Sequence, residues 1–335
     1  MEEYPPASIV VAAYNAEETI ASCIESLLNT EYPEKEIIIV NDGSTDKTEE
    51  IIRKYPVELI SQPKLGASAA RNAGLKKARH EIVAYTDSDC RVSRYWLKNL
   101  VRPFADDEVG AVTGKIIFET DESCTSIIRS LDIEERNRRR KKYTRLANGP
   151  NSAFRKQLLL RIGGFNPKWY HAEDTEVSYK IWREGYKIVY EPKAEVKHIP
   201  ESDWRTFLKK RFRDAKAFTR MLYFHTFQAS IKDDFVTLPM KIQPPLFAVI
   251  GILSIIVLLG LVATIPVFAV YLWLLALLFG IALNLPFSYR VYKRSGKPSY
   301  LLKALALTTL RGFFWAAGLI IGAIEQQPYV LDREI

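Results

Sequence analysis

Two aspartates one residue apart, Asp87 and Asp89 in Tyr85-Thr86-Asp87-Ser88-Asp89, close the apolar run Ile82-Val83-Ala84-Tyr85. That run reads as a short buried strand, so both carboxylates emerge at its C-terminal edge, where open α/β sheets bind ligands. Carboxylates so placed suit a hard divalent cation, which takes oxygen ligands and shares them with substrate phosphates. Asp-x-Asp is also frequent in turns, so the loops upstream decide its meaning. Ala13-Tyr14-Asn15-Ala16-Glu17 follows a first apolar run, and Val40-Asn41-Asp42-Gly43-Ser44-Thr45-Asp46 follows a second. Gly66-Ala67-Ser68-Ala69-Ala70-Arg71-Asn72-Ala73-Gly74 opens a helical stretch.

The elements that must position these loops alternate. Ser8–Ala13, Glu36–Val40, Val57–Ile60 and Glu81–Tyr85 read as strands; Glu17–Leu28, a segment from Thr45 or Asp46 through Tyr55, and Ala67–Ala78 read as helices between them. Strands apolar on both faces with helical crossovers predict a mostly parallel α/β sheet covered on both sides. No Gly-x-Gly-x-x-Gly follows the first strand, so a dinucleotide-binding reading has no support. Further on, Val109–Phe118 reads as a strand, Thr125–Leu146 as a long polar helix and Glu173–Glu184 as a helix. Lys187–Tyr190 and Ala194–Val196 read as two short strands. Asp203–Gln228 is amphipathic, with aromatic residues on one face and Lys209, Lys210, Arg213, Lys216 and Arg220 on the other.

In their order and spacing the four loops resemble those of the family 2 glycosyltransferases, with a GT-A fold over roughly the first 200 residues. Asn148-Gly149-Pro150-Asn151-Ser152-Ala153-Phe154-Arg155, and Gly163-Gly164-Phe165 ahead of Ala172-Glu173-Asp174, continue the resemblance. It implies nucleotide-sugar contacts from Ala13, Tyr14, Asn15, Glu17, Asp42, Arg71, Asp87 and Ser88. Asp42 would accept hydrogen bonds from the nucleobase, and Arg71, at a helix start, would favour phosphate. It implies Mg²⁺ or Mn²⁺ held by Asp89, Asp87 and His198, neutralising a departing diphosphate. Asp174 would be the catalytic base, with Glu173 and Glu176 raising its pKa. Acceptor contacts would come from Asn151, Arg211 and Arg213. The Gln-x-x-Arg-Trp motif of processive synthases is missing; Arg211-Phe212-Arg213-Asp214-Ala215-Lys216 occupies that region.

Composition divides the 335 residues. Leu246 to Phe287 contains no Asp, Glu, Lys or Arg, long enough for two spans of about 20 residues each. These are expected at about 246–264 and 266–287, with a turn near Thr264-Ile265-Pro266. A third candidate, 304–324, carries Arg311, which must face protein or the interface. The expected division is a catalytic domain to residue 200, amphipathic interfacial helices over 201–240, and a membrane region over 241–335. Arg290, Lys293, Arg294 and Lys297, without an acid between them, place their loop and the N-terminal domain in the cytoplasm. The C-terminal Tyr329–Ile335 would lie outside if the third segment spans. The acidic start Met1-Glu2-Glu3-Tyr4-Pro5-Pro6 does not read as a signal peptide. Cys23, Cys90 and Cys124 are scattered, which fits a reducing compartment. The net charge of +8 is concentrated, with seven basic residues between Arg136 and Arg145; this run reads as a solvated helix or an anionic-lipid contact.

The expected activity is inverting, metal-dependent transfer of a sugar from a UDP- or GDP-linked donor to a hydroxyl of a lipid-linked or polysaccharide acceptor. The alternative is transfer to a polyprenyl phosphate, whose ionised acceptor needs no base. A nucleotidyltransferase would want a glycine- and arginine-rich loop where Ala13-Tyr14-Asn15-Ala16 stands, and a non-catalytic scaffold would leave the acidic set without use. No nucleic-acid partner is expected.

Overall fold

The computed structural model describes residues 4–167, 171–224, 238–260 and 267–325. They form two compact units: one contains residues 4–119 and 133–199; the other contains 120–132, 200–224 and the helices from 238 onward. The second unit thus takes a piece from inside the expected catalytic domain, and a boundary at residue 200 cuts across it.

The first unit is built on a nine-stranded sheet. Its strands are β1 (Ala7–Ala13), β2 (Lys35–Asp42), β3 (Glu58–Gln62), β4 (Ile82–Asp87), β5 (Cys90–Val92), β6 (Val109–Phe118), β7 (Tyr143–Thr144), β8 (Asn151–Arg155) and β9 (Lys187–His198). The spatial order is β3-β2-β1-β4-β8-β6-β9-β5, with β7 on β9. The pairs among β1 to β4 are parallel, as is β6 with β9. β8 enters antiparallel between β4 and β6.

Alternate residues of each strand feed opposite faces, because side chains point to the two sides of a pleat in turn. Ile9, Val11, Ile37, Ile39 and Ala84 pack with Ile20, Ile24 and Leu27 of α1 (Ile20–Leu28) and with Trp96, Leu97 and Leu100 of α4 (Trp96–Val101). Val10, Ile38, Val40, Val83 and Tyr85 pack on the other side. Their partners there include Ala70 and Leu75 of α3 (Ala67–Lys77), and Val177 and Ile181 of α7 (Glu173–Arg183). α2 (Thr48–Ile52) and α6 (Lys156–Arg161) complete the crossovers.

Two expected elements differ. The polar helix ends early: α5 covers Cys124–Arg139, because the Arg140 side chain turns inward and donates to Leu146 O (3.1 Å) and Asn148 Oδ1 (3.0 Å). The run Arg136–Arg145 is therefore not one solvated helix. The two short strands are one, β9, whose pairing with β6 shifts register between Gly114 and Lys115. That irregularity takes up Pro192, which cannot donate to the ladder.

The second unit is helical: the first half of α5, α8 (Trp204–Phe224), α9 (Leu238–Gly260), α10 (Val267–Ala282), α11 (Leu285–Ser295) and α12 (Ser299–Glu325). Cys124, Ile127, Ile128 and Leu131 of α5 share a core with Phe207, Leu208, Val291 and Ala304. Among the described residues, two stretches are long and apolar enough to cross a membrane, Val270–Ser295 and Ser299–Glu325; Ile242–Val257 is a shorter apolar helix. The turn expected near Thr264 and the last residues of the chain lie outside the described residues. α9 and α10 are joined by Trp273 Nε1–H donating to Ser254 Oγ (2.8 Å), and Gln243 Nε2–H reaches Asn284 Oδ1 (2.9 Å) just beyond α10. Such polar contacts hold helices together where apolar burial cannot.

Candidate active site

Register brings the loops to one edge. Ala12 of β1 stands opposite Asp87 of β4, and Ala13 opposite Asn41 of β2. The chain leaves all three strands on the same side, so segments 14–17, 43–47 and 87–89 are neighbours by construction.

Two of these loops are stitched together. The Thr45 N–H donates to Asn15 Oδ1 (2.8 Å) and the Asn15 N–H to Ser44 Oγ (3.0 Å). Lys47 N–H reaches Glu17 Oε2 and Glu17 N–H reaches Asp46 Oδ2. Asn15 holds a left-handed φ of 46°, which asparagine tolerates better than most residues. Asn15 and Glu17, expected on the donor, thus shape the loop. Tyr14 is part-exposed, with the Lys64 ammonium 3.9 Å from its ring centre; nothing in the sequence signalled that pairing. Ala13 is buried at the strand end.

Asp42 departs from expectation. Its carboxylate accepts from Gln62 Nε2 (2.6 Å), Leu65 N (2.9 Å) and Gly66 N (2.8 Å). Three of its roughly four acceptor positions hold the turn into α3.

Arg71 also differs. It lies on the second turn of α3, buried, and each terminal nitrogen meets a carboxylate: Nη2 to Asp87 Oδ1 (2.9 Å), Nη1 to Glu173 Oε1 (2.8 Å). Its guanidinium faces Phe165 at 5.6 Å. Arg71 ties the Asp-x-Asp turn to the start of α7 within the width of one guanidinium. Asn72 fixes the neighbouring turn. Its amide donates to Phe165 O (2.6 Å) and accepts from Phe165 N (2.9 Å).

Asp174 sits beside this bridge. Its Oδ2 accepts from Gly149 N (3.3 Å) and its Oδ1 from Thr175 N (2.7 Å). Burial first, then the neighbouring Glu173 charge, pushes the carboxyl up to about 6 against the pull of Gly149 N–H and Arg71. A Cβ at Gly149 would come within 3.3 Å of Arg71 Nη2 and 4.0 Å of Asp174 Oδ2, so the backbone reaches the carboxylate only because no side chain intervenes.

On the far side of Asp87, beyond Ser88 in the turn, Asp89 Oδ1 lies 3.6 Å from His198 Nε2. Asp89, Cys90 and His198 bring their ligand atoms within 4.8 Å of one another. His198 reaches this place because it pairs with Cys90 across β5 and β9. Its Nδ1 lies 2.8 Å from Ile199 O; a carbonyl only accepts, so Nδ1 donates, and Nε2 is the ring nitrogen that faces Asp89. Burial, with Asp87 and Asp89 close by, holds the Cys90 thiol well above its usual pKa. A carboxylate oxygen and an imidazole nitrogen beside a neutral thiol fit Mg²⁺ or Mn²⁺ better than a soft metal.

The three acceptor residues are divided between the two units. Asn151 is fully buried. Its side chain accepts from Trp96 Nε1 (2.9 Å) and donates to Lys115 O (3.0 Å) and Ala194 O (2.9 Å), which braces the sheet and leaves nothing for an acceptor. Arg211 belongs to the second unit, buried against Asp214 (3.1 Å) and Glu201 (3.7 Å). Arg213 lies on the same helix.

Residues 8–163 match the family model described as Glycosyl transferase family 2. Over these residues the chain is similar to the family 2 glycosyltransferases. It is 28% identical over 236 residues to the probable glycosyltransferase YdaM of Bacillus subtilis strain 168, covering 64% of this chain and 56% of that one. It is 32% identical over 199 residues to a poly-β-1,6-N-acetyl-D-glucosamine synthase of Staphylococcus epidermidis, covering 56% and 48%. The chain thus spans about half the length of these relatives. Among solved structures, the mannosyltransferase PcManGT of Pyrobaculum calidifontis, in complex with GDP-Man and Mn²⁺, superposes with a TM-score of 0.61 at 23% identity, covering 92% of this chain and 88% of that one. GalNAc-T7 with UDP, GalNAc and Mn²⁺ gives 0.53 at 18% identity, covering 73% and 51%. At these identities the likeness shows the fold, which is GT-A.

Proposed function

We propose that this chain transfers a sugar from a nucleoside-diphosphate donor to a hydroxyl of a membrane-associated saccharide or glycolipid, with inversion. The observation that carries the reading is Asp174, a carboxyl raised to about 6 and joined through Glu173 and Arg71 to Asp87. A base working near neutrality wants such a pKa. Asp89 and His198 would hold Mg²⁺ or Mn²⁺, with Asp87 beside them; when bound, the ion supplies positive charge for the leaving diphosphate. The chain's own groups do the rest. Tyr14 and the stitched loops at Asn15 and Asp42 shape the donor pocket, and Arg71 fixes the base relative to the acidic turn. Asp174 takes the proton of the acceptor hydroxyl as it attacks the anomeric carbon from the face opposite the diphosphate. The relatives' names, a glycosyltransferase and a polysaccharide synthase, and the Mn²⁺ complexes of the structural neighbours support the reading. The excess of cations at Arg290, Lys293, Arg294 and Lys297 supports a cytoplasmic site.

A lipid-phosphate acceptor is the second reading. It is favoured by the hydrogen bonds Asp174 already accepts from Gly149 and Thr175, which give that carboxylate a structural use. Product analysis with polyprenyl phosphate against lipid-linked saccharide separates the two. For the donor site, UDP- and GDP-sugars are screened by thermal shift with Mn²⁺. Asp89→Ala is expected to remove the metal-dependent shift while the protein still melts cooperatively; an unchanged shift in that variant would sink the metal assignment.

A further inference from the structure

The second unit carries an inconsistency if α12 is read as a membrane span. By length and composition it qualifies, and at about 1.5 Å per residue its 27 residues reach roughly 40 Å. Yet charged groups accompany it from end to end. Lys303 stands near its start. Arg311, at its midpoint, is buried and donates to Asp132 Oδ2 at 2.8 Å, with the Trp315 ring 4.8 Å away. Near its end Glu325 pairs with Lys216 of α8 at 2.5 Å.

α8 itself lies along α12. A Cβ on Gly318 would fall 2.4 Å from Phe212 O, and one on Gly322 2.9 Å from Lys216 O. Thr219 Oγ1 donates to Leu319 O at 3.2 Å. Toward the other end, Phe207 and Ala304 share one core. The two helices therefore run the same way, side by side. Were α12 upright in a bilayer, α8 would descend with it. That would take Lys209, Lys210, Arg213 and Lys216 into the hydrocarbon and leave Asp132 and Arg311 at its centre, where ionised groups are costly.

The opposite face of α12 is apolar and uncovered: Leu302, Leu310, Phe314, Ile320, Ile321 and Ile324 are all exposed. α9 and α10 differ. Exposed apolar residues surround α10, from Phe268 and Tyr271 to Leu278 and Phe279. Within an 18-residue apolar window, 11% of the stretch beginning in α10 is buried, against 39% in α12. An apolar stripe backed by a charged, packed face is the pattern of a helix lying in the plane of the interface.

We propose that α12 does not cross the membrane. It lies in the leaflet that adjoins the basic segment 290–297, with its Leu302–Ile324 stripe among the upper acyl chains and α8 and α5 above it on the aqueous side. The uncovered face is continuous with the lipid-facing hairpin, because Phe247 of α9 packs on Gly312 and Phe313 of α12. The membrane is crossed by that hairpin alone, and the Glu325 end of α12 stays on the side where Arg290–Lys297 stands.

The test is internal to the chain and stands whichever reaction the first unit performs. Lys297→Cys, Glu325→Cys and Ala263→Cys are made in the full-length protein and labelled with a membrane-impermeant maleimide in sealed vesicles of each orientation. The parent protein, whose three cysteines are buried, is the blank. We expect Lys297→Cys and Glu325→Cys to react in the same vesicle preparation and Ala263→Cys in the opposite one. Reaction of Glu325→Cys together with Ala263→Cys overturns the proposal. A protease site appended after Ile335 reads the same question without altering the Lys216 pair. Its cleavage from the Lys297 side supports the in-plane helix, and protection from that side means α12 spans.

Discussion

At the scale of single residues the site is governed by what Asp174 must give up to be useful. A carboxyl that ordinarily titrates near 3.8 is raised to about 6 by burial and by Glu173, so the fold favours its protonated form. That contribution to stability is complete below the ordinary value and is lost as pH rises through about 6. Asp174→Asn should therefore raise the melting temperature at pH 7 while lowering transfer roughly 10²–10⁴-fold, the usual worth of a general base. Nucleotide binding should stay nearly intact. In the parent enzyme the rate should climb with pH up to about 6 and then level; the variant should show no such rise. A variant with full activity and the parent's pH profile would hand the reaction to the phosphate acceptor. The sequence singled out Asp87, Asp89, His198 and Asp174 by type and position. It did not show that Asp42 and Arg71 are occupied within the chain, because a hydrogen-bond partner 24 or 102 residues away leaves no mark on local spacing.

Elements read more easily than their ends or directions. β6 and α3 follow directly from apolar period and from flanking glycine and acid. β9 was divided by Pro192, since a proline weakens any strand pattern, and the register shift that rescues it depends on β6, far away in the chain. The antiparallel entry of β8 between two parallel neighbours likewise has no local signal. The glycine turn before α7 shows how one element fastens to another. Gly164 has a φ of 64°, and a Cβ there would lie 2.5 Å from Asn72 Oδ1. Gly164→Ala should expel the amide that holds Phe165, and Asn72→Ala should leave the two Phe165 backbone groups unpaired at about 1–3 kcal/mol each. Both should lower the melting temperature, and the double variant should lose less than the sum, because the two act on one contact. Strict additivity in a thermal-melt cycle would show that Asn72 and Gly164 contribute separately.

Over the whole molecule the division into two units does not follow the order of the chain. The first half of α5 leaves the first unit's sequence to complete the core of the second, where Ile127, Ile128 and Leu131 meet Phe207, Leu208 and Ala304. Composition alone gave no hint of this, since Arg129, Asp132 and the basic run beyond make the segment look water-facing. The feature matters at the bench. A fragment ended at residue 200, the natural choice for a crystallisable catalytic domain, keeps this helix and discards Phe207, Leu208, Val291 and Ala304, which share a core with Ile127, Ile128 and Leu131. It should come out of cells as aggregates, or soluble only with detergent and bright with a hydrophobic dye. Replacing Ile127, Ile128 and Leu131 by polar residues in that fragment should restore a monodisperse peak on size exclusion, whereas the same replacements should cripple expression of the full chain.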